Sequence, residues 1–486
     1  MKEKIYFIYD DTEKPIQSIR TVVGNRCFGE VIYKKIKLAD RVKNILLNYS
    51  TESIKFIYLK NNDDVEEMKS KVSLQKDENI IYIHYLSSNV ILDEEKFLLF
   101  IEKSKFINQI MVNKKKEPSI FIFPDNFKYL LYLQKMAEQQ EEIENIETEE
   151  LLPNDFGLNI STLQKFLSFF SGSFETRYFN SLVSDEYTIT KRSADKLKMR
   201  KEHDFYYLLP PEMQKWMVLP YDYKENENQA SYTMERLNIP DIALQWIHGS
   251  FDKKSFEKYL NRIFYFITTR KNREVSKEIF YNTFEDMYYG KIDKRIQELK
   301  KKKAYEEIDL FIKYSTDYNN IDEIFEEYKI YYTQLIDSKL NYIEVIGHGD
   351  PCFSNTLYDK SSGLLKLIDP KGALTKDEVY TNEYYDIAKL SHSILGDYDF
   401  INNGLYKIEL NNELKLELKI ESNDLRELKK IFLEKLSEYG YNKKAIRICE
   451  ASLFLSMLPL HIDIPSKVMA FILNAIEILK EIKEYE

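Results

Sequence analysis

The chain has 486 residues, with 70 Lys plus Arg against 80 Asp plus Glu, a formal net charge of -10, and 44% hydrophobic and 14% aromatic residues. That apolar content excludes a disordered tail or a low-complexity scaffold, and at roughly 100–200 residues per domain the length predicts roughly two to four domains. With only 13 Gly and 12 Pro, collagen-like and flexible-linker architectures are excluded, and the acidic balance excludes a protein whose main affinity is for nucleic-acid phosphates.

From the N-terminus, Ile5–Tyr9 is too short for a signal-peptide apolar region, and no stretch approaches the ~18 apolar residues of a membrane span. The three cysteines, Cys27, Cys352 and Cys449, are scattered without metal or disulfide spacing, so a reducing cytoplasmic setting is expected. Short β-rich runs at Ile5–Tyr9, Ile54–Leu59, Ile80–Leu86 and Ser119–Phe123 alternate with stretches at helical spacing such as Asp64–Val72 and Asp93–Phe106. This rhythm predicts an α/β domain with a mainly parallel sheet over residues 1–137. Residues 138–155, rich in Glu and Gln, read as an acidic linker. A strand-rich stretch then runs to about 250, long charged helices fill 251–340, a compact β-rich segment covers 343–373, and helices finish the chain.

The strongest chemical signal is Val345-Ile-Gly-His-Gly-Asp-Pro-Cys-Phe-Ser-Asn-Thr-Leu-Tyr358, followed by Leu364-Leu-Lys-Leu-Ile-Asp-Pro-Lys-Gly372. Phosphoryl transfer needs a carboxylate to orient the attacking hydroxyl, and an amide oxygen and a second carboxylate to hold Mg²⁺ against the nucleotide phosphates. Asp350, Asn355 and Asp369 supply that set, with a hairpin as the shortest route that brings Asp369 back beside the loop. The plain alternative is a tight turn with Asp and Asn as turn formers, followed by an ordinary strand.

On His348-Gly349-Asp350, Asn355, Asp369 and the segment Tyr384–Leu390, the chain resembles the aminoglycoside phosphotransferase and choline kinase-like family, which shares the protein-kinase fold. The resemblance covers about 160–486 and is strongest over 343–395. It implies an α+β bilobal domain, with an N-lobe over 156–250 and a helical C-lobe carrying the catalytic loop over 251–486. It also implies Asp350 as the catalytic carboxylate, Asn355 and Asp369 as Mg²⁺ ligands, and ATP or GTP as co-substrate. Within the N-lobe it makes Lys191 the ammonium for the α and β phosphates and Glu202 its ion-pair partner, against surface Lys and Glu as the alternative. It places Ser173 in the phosphate-covering loop, and Glu235 and Leu237 at the hinge that meets the purine edge, where a plain edge strand is the other reading. His348 becomes a structural imidazole rather than a general base, and Asp386 a brace of the loop or otherwise a helix N-cap. Lys371 meets phosphate or substrate, or is simply solvated, and Cys352 is a small loop residue.

The implied activity is transfer of the γ-phosphoryl group to a hydroxyl of a small-molecule acceptor, with no nucleic-acid partner and an oligomeric state left open. The insert 270–340, with Phe284-Glu-Asp-Met-Tyr-Tyr289, suits a polyhydroxy or cationic acceptor, a sugar or amino alcohol, and analogy suggests capsular or other surface-polysaccharide metabolism. The N-terminal domain distantly resembles nucleotidyltransferases. Asp10 and Asp11 follow its first strand, but Gly24 and Gly29 are isolated and no Asp-x-Asp follows the third strand, so a degenerate scaffolding or regulatory domain is expected. The competing function is a non-catalytic pseudokinase or assembly protein, which would not require Lys191, Glu202, Asp350, Asn355 and Asp369 together.

Overall fold

The β-branched and aromatic run of Lys4–Asp10 forms a strand inside a sheet covered on both faces, which is why it reads as continuously apolar rather than alternating. The structure is a computed structural model that describes residues 3–50, 53–77, 79–112, 119–137, 149–150, 156–171, 180–184, 187–338 and 340–485. Its secondary structure is mixed helix and sheet, with a sheet near the N-terminus and a helical C-terminal part. The chain divides into two units, Met1–Phe174 and Glu175–Glu486.

In the first unit the strands lie in the order Ile54–Leu59, Lys4–Asp10, Ile80–Leu86, Ile120–Phe123, Met111–Val112 and Glu149–Glu150. The first three are parallel, with Phe7 opposite Phe56 on one side and Ile83 on the other. One face buries Phe7 and Tyr9 with Val42, Phe97 and Ile101, and the other buries Ile8 and Tyr82 with Val65, Met68 and Tyr129. The sheet departs from the mainly parallel expectation at Ile120–Phe123, which runs antiparallel to both its neighbours. Only seven residues separate Val112 from Ile120, fewer than the dozen or more that a parallel crossover needs.

The division also falls later than the acidic stretch. Gly157–Asn159 pairs antiparallel with Asn89–Ile91, and the helix Leu163–Ser171 stacks Phe169 on Tyr33 at 4.2 Å between ring centroids. Residues 156–171 therefore belong with the first unit, not with an N-lobe starting at 156. Of the expected linker, Glu149–Glu150 pairs with Met111–Val112 and the rest lies outside the described residues.

The second unit begins with an antiparallel sheet ordered Asn180–Ser184, Thr188–Ser193, Ala230–Glu235, Pro220–Glu225. The helix Lys196–Leu208 accompanies it, started by the Asp195 carboxylate accepting from the Lys198 N–H at 3.0 Å. The remainder is mostly helical and packs one large core from Ile321–Asp337, Lys443–Met457 and Pro465–Glu484. A hairpin of Tyr406–Leu410 and Leu416–Ile420 interrupts the expected run of helices. Its period-two pattern, Leu416-Glu-Leu-Lys-Ile420, is the signal for it. Among the described residues no helix is long and apolar enough to cross a membrane.

Within this body Asp399 is 1% exposed, and its Oδ2 has no hydrogen-bond partner. Burial pushes its carboxyl up to about 7; a hydrogen bond with Ser393 opposes the rise and Asp241 adds to it. A folded pKa above the unfolded value means that the native state binds the proton more tightly. The corresponding stability is present below about pH 4 and lost as pH rises through about 7. Asp399→Asn, which keeps the neutral shape, is expected to melt higher than the wild type at about pH 8.5, with the gap closing towards pH 5. Thermal melts across that range check this, and a gap independent of pH would refute it.

Candidate functional site

Ile343–Ile346 enters from an antiparallel pairing with Tyr380–Asn382 on one side and Asn272–Glu274 on the other, and delivers the chain into the loop His348–Asn355. That loop is held from beneath by Asp386 in the helix Tyr384–Ile394. The fully buried Asp386 carboxylate accepts the backbone N–H of His348 at 2.9 Å and of Gly349 at 2.8 Å, and pairs with Arg270 Nη1 at 2.7 Å. Arg270 is itself anchored by donating from Nε to the Ile267 carbonyl at 2.8 Å. Two main-chain donors and one guanidinium thus meet a charge that would otherwise be stranded away from water.

His348 is fully buried, and its Nδ1 faces the backbone N–H of Asp350 at 3.3 Å. Burial depresses the imidazole pKa despite the neighbouring carboxylates, which favours the neutral ring that can accept this bond. Gly349 has φ +82°, and a Cβ there would meet the Lys371 Cβ at 2.5 Å, so the crossing of the two segments needs glycine. Asp350 follows. Its Oδ1 lies 3.1 Å from Lys389 Nζ, while the side chain as a whole remains 39% exposed. Burial of the inner oxygen works against ionisation, but Lys389 outweighs it and holds the carboxyl below its ordinary value.

Asn355 closes the loop by donating from Nδ2 to the Asp350 carbonyl at 3.0 Å. Thr356–Tyr358 then pairs with Leu365–Leu367, and the Ile368 N–H donates to the Asn355 carbonyl at 3.0 Å. The hairpin sets Asp369 next to the loop, with φ +54° in the left-handed region that side chains seldom adopt. Lys191, 4% exposed as a residue, places its Nζ 2.7 Å from Glu202 Oε2 and 3.0 Å from Asp369 Oδ1. Burial disfavours its ammonium, but Asp369 and Glu202 overcome this and raise its pKa. Tyr232 also donates to Glu202 Oε2, at 3.0 Å. Beyond Asp369, Gly372 at φ +84° passes so close to the helix Lys196–Leu208 that a Cβ would meet the Lys201 carbonyl carbon at 2.6 Å. The Ala373 N–H donates to the Lys201 carbonyl at 3.0 Å, fastening the Asp369 turn to the helix that carries Glu202.

Lys191, Glu202, His348, Asp350, Asn355, Asp369 and Asp386 therefore form one connected cluster within the second unit. Ser173 lies outside the described residues. Glu235 ends its strand exposed, and Leu237 packs at the edge of the apolar group of Met199, Tyr232 and Met234. Neither lines the small cavity that runs from Glu202 and Asp369 past Phe205, Met217, Val218 and Met234. Lys371, Lys389 and Arg270 complete the surroundings. The last two carry no sequence signal, because their partners are 39 and 116 residues away in the chain.

No protein-family model matches the chain, and no curated protein does. Solved structures do show similarity. A thermostable mutant of aminoglycoside phosphotransferase APH(4)-Ia in its apo form aligns at 10% identity, over 65% of this chain and 98% of that one, with a TM-score of 0.39. A mutant of the same protein in ternary complex with AMP-PNP and hygromycin B gives 11% identity, 64% and 97% coverage and a TM-score of 0.38. Aminoglycoside-3'-phosphotransferase of type VIII gives 11%, 60%, 98% and 0.34. These structural neighbours are aminoglycoside phosphotransferases.

The Asp386–Arg270 pair is the support on which the loop geometry rests. Arg270→Ala strips one partner from a buried charge and is expected to cost about 3–5 kcal/mol, a fall in melting temperature of roughly 6–20 °C for a unit of this size. Chemical denaturation of the wild type and variant measures it, and a loss under about 1 kcal/mol would show that the pair does not brace the loop.

Proposed function

We propose that residues 175–486 form a bilobal, protein-kinase-like phosphotransferase that moves the γ-phosphoryl group of ATP or GTP to a hydroxyl of a small molecule. The observation that carries this is the Lys191 ammonium held between Glu202 and Asp369, joined through the 355–368 hairpin to a loop that presents Asp350. A site built only to bind would not need a buried Lys–Glu pair aimed at a half-exposed carboxylate beside a second carboxylate pinned by its own lysine. In this reading 175–250 supplies the lobe that holds phosphates and 251–486 the lobe that holds the acceptor. The purine edge is assigned to the chain around Glu235–Leu237, and phosphate covering to the segment containing Ser173.

The donor set fits a hard divalent cation. Asp369 offers a carboxylate, and Asn355, whose Nδ2 is committed to the Asp350 carbonyl, has its Oδ1 left to coordinate. Bound there, Mg²⁺ would neutralise charge on the phosphates. Lys191 contributes a fixed ammonium for the phosphate oxygens, kept in place by Glu202. Asp350, ionised under the influence of Lys389, accepts a hydrogen bond from the acceptor hydroxyl and orients its oxygen for attack. His348 and Asp386 act on the backbone of the loop, not on substrate.

A sugar-type acceptor suits the cavity of about 450 Å³ bordered by Lys371 and Tyr385, and surface-polysaccharide metabolism is its proposed setting. For the first unit we infer a scaffolding or regulatory role. Asp10 is engaged by His84 Nε2 at 2.9 Å and by the Thr12 hydroxyl at 2.7 Å; Asp11 accepts from the Tyr58 hydroxyl at 2.6 Å and the Gly29 N–H at 3.0 Å. Both carboxylates are thereby occupied within the fold.

Asp350→Asn is expected to lower kcat by two or more decades while nucleotide affinity stays within about threefold, because the hydroxyl partner is lost and the phosphate contacts are not. Steady-state kinetics with calorimetric ATP binding test this, and an unchanged kcat in a folded variant would refute it. Asp369→Ala, by contrast, should weaken ATP binding in Mg²⁺ far more than in EDTA. Equal metal dependence in variant and wild type would remove Asp369 from the metal site.

A further inference from the structure

The cavity beside the catalytic loop has a charge opposite to that of the chain as a whole. Lys291, Lys294, Arg295 and Lys371 line it, against the two carboxylates of Asp286 and Glu298. Glu298 is spent on Arg295, at 2.6 Å from Nη1. No carboxylate among the described residues comes within 4.0 Å of the ammonium groups of Lys291, Lys294 or Lys371. The aromatic residues expected to shape an acceptor site are elsewhere: Phe284 and Tyr288 are buried in the helical core, so the Phe284–Tyr289 segment gives the cavity only Asp286 and Met287.

The cavity adjoins the chemistry. The stem of Lys371 lies against Gly349, and its N–H donates to the His348 carbonyl at 3.0 Å. Tyr385 also lines it, one residue before the brace Asp386, with Lys291 Nζ 5.9 Å from its ring centroid. Lys291 is close enough to Lys389, Lys371 and Asp350 to feel all three charges. Burial and the like charges of Lys389 and Lys371 together lower its pKa to about 8, against the pull of Asp350. An ammonium crowded in this way is relieved by an incoming anion and aggravated by another cation.

We propose that this cavity receives the acceptor through an anionic group, a phosphate ester or a carboxylate, so that the enzyme acts on acidic sugar derivatives in preference to neutral polyols and amines. The inference rests on the phosphotransferase reading above and specifies its acceptor. An amino alcohol would bring a like charge to Lys291, Lys294 and Lys371, whereas an acidic polyol can set its anion among them with a hydroxyl free to reach Asp350. A volume of about 450 Å³ admits a molecule of monosaccharide size.

The test is lysine acetylation of the full chain in Mg-ADP at low salt, read site by site by mass spectrometry, with ribitol 5-phosphate, gluconate, ribitol or choline added. Ribitol 5-phosphate or gluconate is expected to slow acetylation of Lys291 and Lys294 by about fivefold or more, and whichever of them protects identifies the anion. Ribitol and choline are expected to protect neither. Protection by a neutral or cationic probe equal to that by the acids, or no protection by either acid, would overturn the proposal. Lys294→Glu, on an exposed helix face, should reduce the protection of Lys291 by about threefold or more, and an unchanged value would count against it. Calorimetry of Mg-ATP on the same sample separates the two levels: absent nucleotide binding would sink the phosphotransferase reading, whereas nucleotide binding without anion protection would sink only the acceptor assignment.

Discussion

The second unit depends on a buried negative charge. Asp386 has no access to water, and a carboxylate in that position is tolerable only with its lone pairs filled. Arg270 and two loop N–H groups fill them, and in doing so they fix the backbone at His348 and Gly349. Once those two residues are fixed, the direction of Asp350 follows, Lys389 can pin it, and Asn355 can close the loop onto the Asp350 carbonyl. The constraint is a matter of satisfying polar groups, and the loop inherits its geometry from it.

A second charged centre, at Lys191, answers to different physics. The ammonium is nearly as buried as Asp386, but one of its partners, Asp369, is 39% exposed and sits on strained backbone. A residue held at positive φ persists only where its surroundings over-determine it. Here the hairpin pairing, the Ile368 bond to the loop and the Ala373 bond to the helix of Glu202 do so. Rigid support under an open side chain is what pre-organised electrostatics requires.

Around this centre the charges are segregated. Carboxylates gather at Lys191, while Lys291, Lys294 and Lys371, which have no carboxylate within 4.0 Å among the described residues, gather around one cavity. In the first unit the same residue types have been drawn inward: Asp10 and Asp11 end a buried strand and are consumed by His84, Tyr58 and Gly29. A pair of aspartates after a strand is an invitation to metal only if the fold leaves them unbonded.

Local order in the sequence determined a good deal by itself. The spacing of His348, Asp350 and Asn355, and the short apolar strand ending at Asp369, are contiguous features whose hairpin needs no distant partner, so their grouping was legible. Lys191 and Glu202 were legible too, as a strand end and the next helix. The tertiary structure alone decided the rest. Arg270 and Lys389 acquire meaning only across long loops closed by packing. The antiparallel direction of Ile120–Phe123 is set by its pairing with distant strands, which periodicity does not encode. Residues 156–171 join the first unit because Gly157–Asn159 finds an edge at Asn89–Ile91. The aromatic run Phe284–Tyr289 reads the same whether it faces a ligand or a core, and burial against Tyr328 and Tyr332 chose the core. The positive cavity is of the same kind: its lysines come from one helix and a distant loop, and an electrostatic field is a property of their separation in space, which no stretch of sequence contains.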